Sequence, residues 1–182
     1  MSRIVPLALP SLLLLLAGCE TDGAMTEQST TVQLAKAGKL KVDQSNPAAD
    51  PEGLGICNGL YGQIFVPQAK NVARVDLLLT VNQIGAGGDA TTVGVYTDIT
   101  EPALASTSVT VDPPQPGELS RVISYSFEPA VPIQKGSTYI IGWSGTTSCW
   151  QFSRGDPYPN GNMVLFDGTP LADDFWFVTY SN

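Results

Sequence analysis

An all-β fold, an antiparallel sandwich or barrel, is predicted for residues 51–182 by two observations. Apolar side chains recur with a period of two, not 3.6, from Pro51 onward. Clusters of Gly, Pro, Asn and Asp then interrupt the strand-sized runs at short intervals, as in all-β domains. No segment of the domain carries a convincing helical pattern.

The strands follow in order. Val75, Leu77, Leu79 and Val81 alternate with Arg74, Asp76, Leu78 and Thr80, which predicts one apolar face. Val93 and Val95 flank Gly94, and Val109 and Val111 flank Thr110. Ser106, Ser108 and Thr110 share the opposite parity and read as the wet face of a strand, not as nucleophiles. Ile123, Tyr125 and Phe127 alternate with Ser124 and Ser126. Tyr139, Ile141 and Trp143 form a further apolar face, with Thr138, Ile140 and Gly142 opposite. The pairs Trp150 and Phe152, Met163 and Leu165, Phe175 and Phe177 continue the pattern. Turns are expected at 85–89, 113–117, 156–161 and 167–170, and at Lys135-Gly136, where glycine accepts a positive φ.

The order of these pieces carries a resemblance over about Leu60 to Tyr180. Gln63-Ile64-Phe65-Val66-Pro67 leads to Val75-Asp76-Leu77-Leu78-Leu79 and Val93-Gly94-Val95-Tyr96. Pro102-Ala103-Leu104-Ala105-Ser106 and the run Tyr125 to Ile133 follow. Gln134-Lys135-Gly136-Ser137-Thr138-Tyr139 and Phe177-Val178-Thr179-Tyr180 complete the series. This order resembles the jelly-roll modules of bacterial surface proteins, which are similar to carbohydrate-binding modules. The resemblance implies an antiparallel jelly-roll-like β-sandwich of two packed sheets. It transfers no ligand. In this chain no enzyme accompanies the module, and Cys57 and Cys149 are not part of the pattern.

Residues 1–18 and Cys19 carry a second resemblance. Arg3 precedes an apolar run from Ile4 to Leu16, and Leu16-Ala17-Gly18-Cys19 closes it. The run contains Pro6 and Pro10 and falls short of the ~20 residues that span a bilayer. Small residues follow it, as at a cleavage site. The segment resembles a bacterial lipoprotein signal peptide. This implies removal of residues 1–18 and lipid on the sulfur and new amino group of Cys19. Several acyl chains hold a protein stably to a membrane, whereas one does so only marginally. Glu20 stands where an aspartate often retains such proteins in the inner membrane, so an extracytoplasmic location is expected, on the cell surface or, in a host that has one, at the outer membrane. Residues 19–50 read as a lipidated N-terminus and tether, with a short helix around Val32 to Val42 as one element within it.

Composition narrows the function classes. Removing residues 1–18 takes away one of nine basic residues and none of the seventeen acids, which leaves a net charge of −9. That argues against nucleic acid, which needs a basic footprint, and against electrostatic adhesion to anionic lipid. No histidine occurs, so Ser-His-Asp and Cys-His catalysis are excluded. Paired carboxylates remain as an acid–base couple, but nothing places Asp156 opposite Asp167, and no enzyme activity is expected. Once Cys19 is acylated, Cys57 and Cys149 form an even pair in an oxidising compartment. That pattern suggests a disulfide, with two separate buried thiols as the other reading.

The expected function is therefore binding. The candidate surface is Trp143, Trp150, Arg154, Asp156 and Tyr158, with Asn160 and Asn162 nearby. Indole and phenol rings can stack on the C–H faces of a sugar while planar polar groups meet its hydroxyls. Glycan or cell-surface polymer is the expected ligand on this reading. The same parity that joins Trp150 to Phe152 also fits a core position. Burial of all three rings would favour a protein partner in an envelope or adhesion complex instead. Cofactors are not expected, although Asp89, Asp173 and Asp174 could contribute to a structural calcium site. Calcium requires six to eight oxygens, and no ordered ladder of ligands is present.

Overall fold

The computed structural model describes residues 39–48 and 54–182. The expected signal peptide, Cys19 and the expected tether up to residue 38 lie outside the described residues, as do residues 49–53. Among those described there is no helix. There are eleven strands: β1 Lys41–Asn46, β2 Gly55–Phe65, β3 Asn71–Thr80, β4 Asp89–Tyr96, β5 Ala105–Val111, β6 Ser120–Pro132, β7 Tyr139–Ser153, β8 Met163–Leu165, β9 Pro170–Leu171, β10 Asp174–Phe175 and β11 Phe177–Ser181. Every pairing is antiparallel. The all-β antiparallel fold is as the periodicity predicts.

The sheet curls into two walls. One wall runs β1-β11-β3-β6, and the other runs β5-β4-β7-β2-β8-β9. Strand β7 belongs to both. Its first half lies between β2 and β4, with Gly142 opposite Gly62 and Gly94. Further along, Cys149 and Trp150 sit opposite Thr80 and Leu79 of β3. The separate runs 139–143 and 150–152 of the sequence are thus one 15-residue strand that changes wall on the way.

The alternation decides what faces inward. Val75, Leu77 and Leu79 of β3, with Tyr125 and Phe127 of β6, meet Val93, Val95, Ile141 and Trp143 from the opposite wall in one buried core. Ser106, Ser108 and Thr110 point to solvent, as do Ser124 and Ser126. Gly136 has a φ of 78°, so the Lys135-Gly136 reversal uses the conformation for which glycine is suited. A smaller apolar cluster lies on the outer face of the second wall, where Ile99, Ile140 and Val164 pack with Leu60, Ile64 and Tyr96.

The domain starts earlier than residue 51. Lys41–Asn46 is a strand that pairs with β11 from Lys41 opposite Ser181 to Asn46 opposite Phe177. The tether boundary at 50 is corrected accordingly, and Lys41 and Val42 belong to a strand, not to a helix. Backbone pairing holds β1 in place, and the buried Asn46 side chain adds a hydrogen bond to the Phe175 carbonyl. Alternating apolar side chains play little part.

Cys57 and Cys149 form a disulfide between directly opposed residues of β2 and β7, with Cα atoms 4.2 Å apart. It closes a separation of 92 residues. In the chain-entropy description such a loop corresponds to about 4.6 kcal/mol. Reduction is therefore expected to lower the melting temperature markedly. A calorimetric scan with and without reductant checks this, and coincident transitions would contradict it.

Candidate functional site

The three rings expected to meet a ligand are in the core. Trp143 and Trp150 have no exposed surface, and Tyr158 is 5% exposed. Trp150 stacks on Phe175 with centroids 3.9 Å apart, and its indole N–H donates to the Trp176 carbonyl. Trp143 lies tilted against Trp150. Tyr158 meets Phe177 edge-on, and its hydroxyl donates to the Gln44 side chain of β1. The binding surface assigned to Trp143, Trp150 and Tyr158 is thus corrected. Those indole and phenol faces are spent on apolar packing and present nothing to solvent. Arg154, Asp156 and Asn160 are exposed on the 154–162 loop, without a ring face beside them from this set.

A buried polar network explains the placement of Tyr158. Gln63 has no exposed surface and donates to the Asp174 carboxylate at 2.8 Å, while its carbonyl accepts the Phe175 N–H. The other Asp174 oxygen accepts the Tyr158 N–H at 2.9 Å. Burial pushes the Asp174 carboxyl upward, and the donors from Tyr158 and Gln63 oppose that rise. The 154–162 loop is pinned inward by the Asp174 side chain, 16 residues beyond Tyr158, so the Tyr158 ring completes the core.

The acidic loop residues proposed for calcium are already engaged. Asp89 is 1% exposed and accepts five hydrogen bonds at 2.5–3.2 Å from the backbone or hydroxyl groups of Thr146, Thr147 and Ser148. Its carboxylate holds the bend of β7 in place. Burial raises its pKa, but the Ser148, Thr146 and Thr147 donors prevail and bring it down to about 2. Asp174 is committed to Gln63 and Tyr158, and Asp173 accepts the Gly155 N–H. Among the described residues no group of three or more His, Cys, Asp and Glu side chains could hold a metal.

The exposed features lie elsewhere. Strand β5 pairs with β4 alone, so its other edge carries no ladder partner, and β6 runs close beside part of it. Its sequence Ala-Ser-Thr-Ser-Val-Thr-Val has neither charge nor proline. The other edges are blunted. β6 contains Arg121, Glu128, Pro129 and Pro132, β1 contains Lys41 and Asp43, and β9 has two residues, one of them Pro170. Charges, prolines and shortness are the usual protections of an edge. A groove of about 460 Å³ runs between the β5 edge at Leu104–Thr107 and β6 at Ser126–Pro132. Leu104 is half exposed at its end.

A second concavity of about 510 Å³ lies over the small apolar cluster on the outer face. The 97–100 loop and the turn at Asp167 and Gly168 border it. No protein-family model matches the chain, and no curated protein matches it in sequence.

Proposed function

We propose that the chain is a membrane-anchored extracytoplasmic lipoprotein whose β-domain acts by binding, without catalysis, and that its partner is a protein. The observation that carries the partner class is the unpaired, uncharged, proline-free edge of β5 beside the groove at Leu104–Thr107. An extended segment of a partner can add to such an edge as a further strand, with main-chain hydrogen bonds for affinity and alternate side chains for selectivity. The burial of Trp143, Trp150 and Tyr158 removes the aromatic platform on which a sugar would stack at the 149–162 region. The Leu16-Ala17-Gly18-Cys19 motif supports the anchor.

Two substitutions test the two halves of this reading. Cys19→Ser should move the chain from the membrane to the soluble fraction. Persistence of the variant in the membrane, or wild-type protein that takes up no palmitate analogue, would contradict the anchor. Ser106→Lys with Ser108→Lys places charge on the exposed face of β5 without touching the core. Crosslinking in intact envelopes should then yield partner adducts for the wild type and on the order of tenfold less for the variant. Equal adducts at normal protein levels would remove β5 as the contact.

A further inference from the structure

The cations of this chain are unevenly placed. Among the described residues the lysines are Lys39, Lys41, Lys70 and Lys135, and all four are exposed at one end of the domain. Strand pairing gathers them there. Lys41 opens β1 opposite Ser181, the last residue of β11. Asn182 follows and exchanges hydrogen bonds with the Asn71 side chain at the start of β3, beside Lys70. The Lys70 carbonyl accepts the Ile133 N–H, and the Pro67 carbonyl accepts the Gly136 N–H, which brings the turn carrying Lys135 alongside. Arg74 and Arg121 are ion-paired with Asp76 and Glu118, whereas the four lysines have no carboxylate within ion-pair distance among the described residues. Two aliphatic side chains interleave with the lysines of β1. Leu40 is 38% exposed and Val42 60% exposed. Lys39-Leu40-Lys41-Val42 thus combines cations with bare apolar surface, as segments that meet a lipid interface do.

The chain that leads into this end selects the partner. Residues 1–38 join the domain at Lys39, within the patch itself. Residues 20–38 separate the lipid expected on Cys19 from Lys39, a length of chain that reaches at most about 70 Å when fully extended. The anchor alone therefore allows the domain to stand off the membrane or to lie on it. The net charge of −9 argues against contact with anionic lipid only if charge is spread evenly. At physiological salt a surface responds to charges within about 8 Å of it, and those nearest the anchored segment are lysines. The carboxylates of this end lie to one side. Asp43 is half-buried and accepts the Gln68 N–H. Glu128 stands on β6, at the far edge of the same wall, and Asp98 and Glu101 on the connection from β4 to β5 in the other wall. Contact accordingly falls on the β1 side of the end.

We infer that Lys39, Lys41, Lys70 and Lys135 dock this end of the domain on an anionic phospholipid surface, with Leu40 and Val42 entering the headgroup layer. The inference rests on the anchor read from Leu16 to Cys19 and adds a second, electrostatic hold beside the acyl chains. It fixes which way the domain faces once it is anchored.

Energy transfer in vesicles tests this with the acylated protein. The donors are Trp143, Trp150 and Trp176, and the acceptors are dansyl-labelled lipid headgroups. Transfer should be about twofold greater in equal parts of phosphatidylglycerol and phosphatidylcholine than in phosphatidylcholine alone, and the excess should vanish at high salt. Replacing the four lysines by Gln should abolish the excess, and replacing them by Arg should retain it. Arg154→Gln removes a cation from the 154–162 loop and should leave it unchanged. Flotation with phosphatidylcholine vesicles reports the anchor separately. Failure to float there would remove the anchor and the inference with it. Flotation with equal transfer in the two vesicle types, or with an undiminished excess in the Gln variant, would overturn the inference and leave the anchor standing. Loss of the excess in the Arg variant or in Arg154→Gln would overturn it as well, by showing that the four positive charges at this end are not what holds the domain down.

Discussion

Replacing Trp150 by Ala is expected to destabilise the domain by about 3–5 kcal/mol, the range for removing a large aromatic from a packed core. The side chain has no exposed surface, and it stacks on Phe175 and leans against Trp143. It also sits where β7 crosses from one wall to the other, opposite Leu79 of β3 and Ile56 of β2. Its loss opens a cavity between both walls and leaves the Trp176 carbonyl without its indole donor. Marginal stability of ordinary domains is only 5–15 kcal/mol, so much of the total is at risk. A denaturant titration should show a lower midpoint with little change in slope. A midpoint within experimental error of wild type would contradict the core assignment.

Replacing Asp89 by Ala is expected to be nearly as severe. Five donors of Thr146, Thr147 and Ser148 lose their acceptor together, and the Ser148 donors are left inside the protein. Hydrogen bonds to a charged group contribute about 1.5–3 kcal/mol each in favourable cases, with strong non-additivity. A loss of a few kcal/mol is therefore expected. The same carboxylate gives the wild type a pH signature. Its folded pKa of about 2 lies below the ordinary 3.8, so folding favours the ionised form. This contribution is complete above about pH 4 and disappears as the pH falls toward 2. By linkage it amounts to about 2 kcal/mol. Unfolding measured between pH 5 and 2 should show that decline in the wild type and a flatter profile in Asp89→Ala. Parallel profiles would contradict the role.

Much of the fold is legible in the sequence because strand alternation is a local signal. Val75, Leu77 and Leu79 declare their inward face without knowledge of any partner, and so do Ile123, Tyr125 and Phe127. Strand β1 is not legible for the opposite reason. Lys-Val-Asp-Gln-Ser-Asn has no apolar period, and β1 is held by main-chain pairing to a strand about 135 residues away. Tyr158 misleads because a tyrosine between two prolines in a polar loop has the composition of a binding loop. What draws it inward is Asp174, which composition cannot reveal. Asp89 likewise reads as loop charge, since its donors lie 57–59 residues downstream. Phe166 carries a usable signal. An aromatic followed by Asp-Gly in a tight turn has no strand face to occupy, and it is exposed.

The continuity of β7 has a consequence for motion. Along much of its length it is hydrogen-bonded on both sides, to β2 over 139–145 and 149–151, to β4 in its first half, and to β3 and β10 beyond the bend, while Thr146 and Thr147 at the bend are exposed. The amides of its doubly paired stretches, 140–144 and 149–150, can meet solvent only when both walls separate, so their isotope exchange should proceed at the rate of complete unfolding. Strand β5 hangs from β4 alone and can peel away while β7 remains closed. Its amides should exchange through that smaller opening, orders of magnitude sooner. The strand most available to a partner is therefore also the one the domain can release most cheaply.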